Sequence, residues 1–181
     1  MMPSPINKKN DSSRRNRGLY VSTVALLASL ALIFSYVEVI IPYNAGIPGV
    51  KLGIANIVTV TAIYKLSPWH GAAVNAIRIA VAGLLFNGLF GAVYAFAGAT
   101  LSFIVMILLK KTGKFSVAGV SMAGGVFHNM GQLIIASFLV QDLRMFFYFP
   151  VLLFSGMIAG IAIGIAASMI IPRLPDINRQ Y

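Results

Sequence analysis

Long apolar runs follow one another from Leu19 to Ile171, each ended by a short polar or proline- and glycine-bearing stretch. A helix that spans a bilayer needs about 20 apolar residues at a rise of about 1.5 Å each. Six runs fit that scale: Leu19–Ile41, Lys51–Leu66, Pro68–Phe86, Ala92–Leu109, Ser116–Val140 and Arg144–Ile171. Their punctuation is chemical. Ser67-Pro68 reads as an N-cap followed by proline at the first helical position. Asn87-Gly88 with Gly91, Lys110 to Gly113, Gln141-Asp142 and Pro172 break the later runs. Pro150 should kink the last helix and set Arg144–Phe149 apart as an outer stub. The pattern predicts an all-α integral membrane protein of six transmembrane helices. It divides the chain into a basic tail (1–18), a membrane domain (19–172) and a C-terminal tail (173–181).

The second run is short. Sixteen residues rise about 24 Å, against a hydrocarbon core about 30 Å thick. Before it comes "PYNAGIPGVK", rich in proline and glycine. Irregular backbone at membrane depth is tolerated where it lines a cavity or is buried in protein. The stretch Pro42–Gly49 therefore reads either as an inward-dipping lid over a pocket or as a surface loop beside a tilted helix.

Composition sharpens the class. Of 181 residues, 59% are hydrophobic and 10% charged, far below the roughly 25% charged of soluble domains. The net charge of +10 would suit nucleic acid, but its placement points to the membrane. Eleven lysines and arginines fall in segments on one side of the predicted spans, and only Lys51 and Arg144 on the other. That asymmetry puts both termini in the cytoplasm of a plasma-membrane protein and makes lipid, not nucleic acid, the partner. "SSRRNRGLY" resembles a twin-arginine signal. The 23-residue run from Leu19 and the absence of a small-x-small cleavage site favour a first transmembrane helix. There is no cysteine, so disulfides and thiol chemistry are excluded.

Polar residues inside the spans are few. In "GGVFHNMGQ" (Gly124–Gln132), the residues Ser121, Gly124, Gly125, His128, Gly131 and Gln132 share about a third of the helix circumference, with Asn129 beside them. This face should look into the bundle or a cavity. Asn129 reads best as a hydrogen bond between helices, His128 and Gln132 as ligand-lining. Arg78 lies ten residues after Pro68, about 15 Å in, with Asn75 one turn earlier. His128 lies at a similar depth. Only four acids exist. Glu38 sits near the outer face, level with Lys51, and the others lie in tails or the outer loop. Arg78 then lacks an internal counter-charge. It reads either as the anchor of an anionic ligand or as an arginine satisfied by carbonyls or snorkelling to the surface.

Small residues every fourth position, Gly156, Gly160, Gly164 and Ser168, mark a helix-packing face. Ala25 with Ser29, and Ala31 with Ser35, repeat the pattern in the first span. No P-loop motif is present, and no credible metal set. Diphosphate chemistry through Mg²⁺ uses carboxylates that the core lacks. The chain therefore reads as a non-enzyme without cofactor or metal.

"IPGVKLGIANIVT" (Ile47–Thr59), "NAIRI" (Asn75–Ile79) and "GGVFHNMGQL" (Gly124–Leu133) together resemble the Gx transporter family, also labelled heptaprenyl diphosphate synthase component I. That family is similar to the substrate-binding S components of energy-coupling factor (ECF) transporters. The resemblance implies a six-helix bundle with both termini inside, a pocket toward the outer face, and work with a membrane scaffold subunit and two ATPases. It implies uptake of a small, anionic, vitamin-like or quinone- or prenyl-precursor molecule. The candidate pocket takes Lys51, Asn56, Arg78, His128, Asn129 and Gln132, and Ala25 with Ser29 is the candidate coupling face. The competing reading is a non-transport anchor or assembly subunit for prenyl-quinone or electron-transfer enzymes.

Overall fold

The computed structural model of the chain describes residues 5–40 and 53–174. All regular structure among them is helical: α1 (Pro5–Ile40), α2 (Ala55–Lys65), α3 (Pro68–Ala82), α4 (Gly88–Thr112), α5 (Val117–Val140) and α6 (Phe149–Ile170). A π-helical turn, Gly83–Asn87, joins α3 to α4. A 3-10 turn, Leu143–Tyr148, precedes α6, and another, Ile171–Arg173, follows it. Five stretches are long and apolar enough to cross a membrane: Gly18–Ile40, Pro68–Phe86, Gly88–Thr112, Val117–Val140 and Leu143–Arg173. The chain is thus a multi-pass, all-α membrane protein.

Three local expectations are corrected and one is met. The second run yields only the 11 helical residues of α2, about 16 Å of helix, because Gly53 turns the chain at φ +73° just before it. Pro150 does set the preceding stub apart, as the 3-10 turn Leu143–Tyr148 before α6. It lies in the first turn of the helix, where a missing N–H costs nothing. The fourth helix starts at Gly88 rather than Ala92, with Gly88 at φ +67° supplying the turn. The stretch expected as a tail is helical from Pro5 and continuous with the first span.

Packing falls into two groups. In one, α1 and α3 close on the outer flank of α2 through Ala28, Ala31, Val58 and Val74. In the other, α5 is sandwiched between α4 and α6. There the glycines set the spacing. A Cβ on Gly156 would lie 2.8 Å from the Gly125 carbonyl oxygen. One on Gly160 would lie 2.7 Å from Met122 Cα, and one on Gly164 2.5 Å from Ala118 Cα. Backbones touch, as small-residue faces permit in membranes. Ser168 is exposed and does not extend this face. The other side of α2 joins this group through Val60 and Ile63, packed with Met106, Val120 and Ile163.

α2 is therefore enclosed, with residues 58–63 all buried. Helix ends buried in protein leave N–H and C=O groups without partners unless something caps them. At the start, the Ile54 N–H donates to Glu38 Oε1 from α1, and Asn56 N–H donates to the Gly53 carbonyl at 2.8 Å. At the end, Lys110 Nζ from α4 donates to the Ile63 carbonyl at 2.5 Å and lies 4.9 Å from the centre of the Tyr64 ring. An anion at the N-terminus and a cation at the C-terminus both suit the helix dipole. Lys110→Met should therefore lower stability by about 1–3 kcal/mol, read as a lower unfolding temperature in detergent. Glu38→Gln, which keeps an acceptor for Ile54, should cost less than Glu38→Leu.

Candidate functional site

The first polar group sits between α1, α2 and α3. Val74 packs in the apolar layer with Ala31. One turn outward on α3 comes Arg78, and one turn outward on α1 comes Ser35. Arg78 Nη2 donates to Asn75 Oδ1 at 2.8 Å, and the Glu38 carboxylate is close enough for its charge to act on the guanidinium. Arg78 Nε and Ser35 Oγ are buried with no hydrogen-bond partner among the described residues. The expectation that Arg78 has no internal counter-charge is corrected. Glu38 reaches inward because the start of α2 lies inside the protein, within reach of α1, and draws the carboxylate to its unpaired N–H. Lys51, the partner expected for Glu38, lies outside the described residues, as does the proposed lid at 42–49.

The second polar group lies on α5. The helix starts at Val117, with Ser116 Oγ accepting from the Gly119 N–H at 3.1 Å, so His128 is about 16 Å in. Arg78 is about 15 Å in from Pro68. The two depths match, but the helices do not share a face. α3 packs against α1, α2 and α4, whereas α5 packs against α4 and α6. His128 and Gln132 are together at Gly98 of α4. A Cβ there would lie 2.7 Å from the His128 carbonyl oxygen and 2.8 Å from Gln132 Cγ. Asn129 turns to the other side, where Nδ2 donates to the Leu152 carbonyl of α6 at 2.7 Å.

Asn56, in the first turn of α2, faces a third place. It lines a small cavity with Ser102 and Met106 of α4, Ser121 and Gly124 of α5, and Gly160 of α6. Sequence reasoning missed Ser102 and the inward role of Glu38. Ser102 carries a readable signal, since Gly98, Ser102 and Met106 recur at fourth positions along one face of α4. Glu38 carries none, because its role depends on where α2 begins. Ala25 and Ser29 are exposed on α1, with Ser29 Oγ donating to the Ala25 carbonyl at 2.9 Å. Ala31 and Ser35 instead point into the α1–α2–α3 group. Among the described residues, no group of three or more His, Asp or Glu side chains is placed to hold a metal ion.

A family model described as heptaprenyl diphosphate synthase component I matches residues 27–170. Neither a curated protein nor a solved structure matches the chain. The family match covers α2 to α6 whole, the second part of α1, and every polar group described above. The chain therefore belongs to the Gx, or heptaprenyl diphosphate synthase component I, family of S-component-like membrane proteins.

Proposed function

We propose that the protein is the substrate-binding membrane subunit of an uptake system. It would take a small, partly apolar molecule with an acidic group, a vitamin-like compound or a quinone or prenyl precursor. The observation that carries this reading is Arg78, a cation midway along a spanning helix whose Nε is buried and unpartnered. Unpaired polar groups at that depth are costly and mark functional sites. Glu38 tempers the pull of Arg78 for a free anion, so recognition of the acid falls on the unpartnered Nε–H and on Lys51. Asn56, His128 and Gln132 orient the ligand, Asn129 supports them by holding α5 to the Leu152 carbonyl of α6, and apolar walls hold the ligand's body. Both termini face the cytoplasm, and residues 42–49 act as the outer lid.

A chain without a nucleotide motif cannot drive ATP-dependent uptake alone. The partners are a scaffold subunit and ATPases of the ECF type, docked on α1 at Ala25 and Ser29. The exposure of that pair supports docking over packing against the protein's own helices, since small exposed residues let a partner helix approach. The family's description as a synthase component favours one second reading, a non-catalytic subunit that anchors or assembles a prenyl synthase. The two readings differ in what copurifies: a small molecule for the binder, a soluble enzyme for the anchor.

Three outcomes follow. The native chain has no cysteine, so a single cysteine at Asn44 should react with impermeant thiol reagents in intact cells, and one at Thr112 should not. The reverse pattern would invert the topology. Arg78→Gln, His128→Ala and Gln132→Ala should each weaken retention of the copurified small molecule, by about 1–3 kcal/mol where a buried ligand group loses its partner. Normal retention in all three folded variants, measured by mass spectrometry, would remove the pocket. Ala25→Trp with Ser29→Trp should leave that retention intact yet abolish uptake and copurification of an ATPase. Unimpaired uptake would remove this face from coupling.

A further inference from the structure

The cavity where α2, α4, α5 and α6 meet has a volume of about 20 Å³, enough for one water-sized group. Two of its walls are hydroxyls that are themselves almost wholly buried: Ser102 is 6% exposed and Ser121 3%. The half-buried Asn56 side-chain amide lies on the same wall. A buried polar group left unpaired costs about 1–3 kcal/mol. Two buried hydroxyls and an amide lining one void call for a guest that can accept and donate hydrogen bonds.

The guest is uncharged. Every residue on the wall is apolar, glycine, serine or asparagine, and an ion taken from water into such a place would lack a counter-charge. The space exists because residue 124 is glycine. A Cβ there would lie 2.6 Å from Met106 Sδ and 3.2 Å from Ser102 Oγ, and would close the gap. Ser121, Gly124 and Gly125 are also the inner end of the stripe that continues outward through His128 to Gln132.

We infer that this cavity is a binding subsite for one neutral oxygen group, a hydroxyl or a carbonyl, supplied either by water or by the polar end of the transported molecule. Only the second source rests on the proposed uptake function. A ligand held at His128 and Gln132 would insert its uncharged end between Asn56, Ser102 and Ser121, displacing the water. The subsite selects molecules that carry a neutral oxygen on the end remote from their acidic group.

An experimental structure of the intact protein, at a resolution that shows ordered water, tests this directly. Density for one oxygen should lie about 3 Å from at least two of Asn56, Ser102 and Ser121. It should be lost in Ser102→Ala with Ser121→Ala, which removes two partners without adding bulk, and in Gly124→Ala, which fills the space. Isolated density assigns the guest to water, and density running outward along α5 to His128 assigns it to a bound molecule. An empty wild-type cavity, or density unchanged in the double variant, would overturn the subsite. If the purified protein carries no small molecule and the isolated oxygen is present, the subsite stands and the uptake reading fails.

Discussion

The architecture turns on how a short helix is held with both ends inside the protein. α2 is too short to cross the hydrocarbon, so its first N–H and last C=O groups cannot reach water at both faces. Glu38 of α1 meets one end and Lys110 of α4 the other. Each charge matches the sign of the helix dipole where it sits, and each comes from a different helix group. The two contacts therefore fix the depth of α2 and tie α1–α3 to α4–α6 at the same time. Were α2 to slide by one residue, about 1.5 Å, both would be lost together.

That placement explains why the polar residues form separate groups rather than one layer. α2 stands between them. On one side its start is bound by Glu38, whose charge also acts on Arg78. On the other side Asn56, two residues later, faces the cavity of Ser102 and Ser121. The Ile54 N–H points back along the helix axis while the Asn56 side chain projects sideways, so one turn of α2 serves both. The close glycine contacts of α5 with α4 and α6 leave little free volume elsewhere in that half. A small cavity lies where α2 meets it.

Much of this was legible in the sequence. Run length and punctuation gave the five long helices, because hydrocarbon thickness dictates length and Ser116, Gly113 and Pro68 act through local backbone chemistry. The interior-facing stripe on α5 was legible too, since it depends only on helical period. Asn129 bonding to α6 follows from the same reasoning. What failed was everything set by tertiary position. Glu38 read as an outer-face residue because counting along α1 gives its depth but not the depth at which α2 starts.

The family's description names a synthase component, and the chain's acids bear on what that component can be. Prenyl diphosphate chemistry needs carboxylates to hold Mg²⁺. There are four acids in all, and Asp11 and Asp176 belong to the terminal stretches. Asp142 is used locally, its Oδ1 accepting from the Arg144 N–H at 2.8 Å. Glu38 is committed to the start of α2. A metal-binding role for Glu38 would take away the acceptor at Ile54 and the anion beside Arg78 together, loosening the helix on which both polar groups depend. The one acid within the described membrane-spanning helices is thus engaged in holding the fold. The cavity beside Asn56 is lined by neutral hydrogen-bonding and apolar groups, and Glu38 partly balances Arg78, an arrangement suited to holding and orienting a guest.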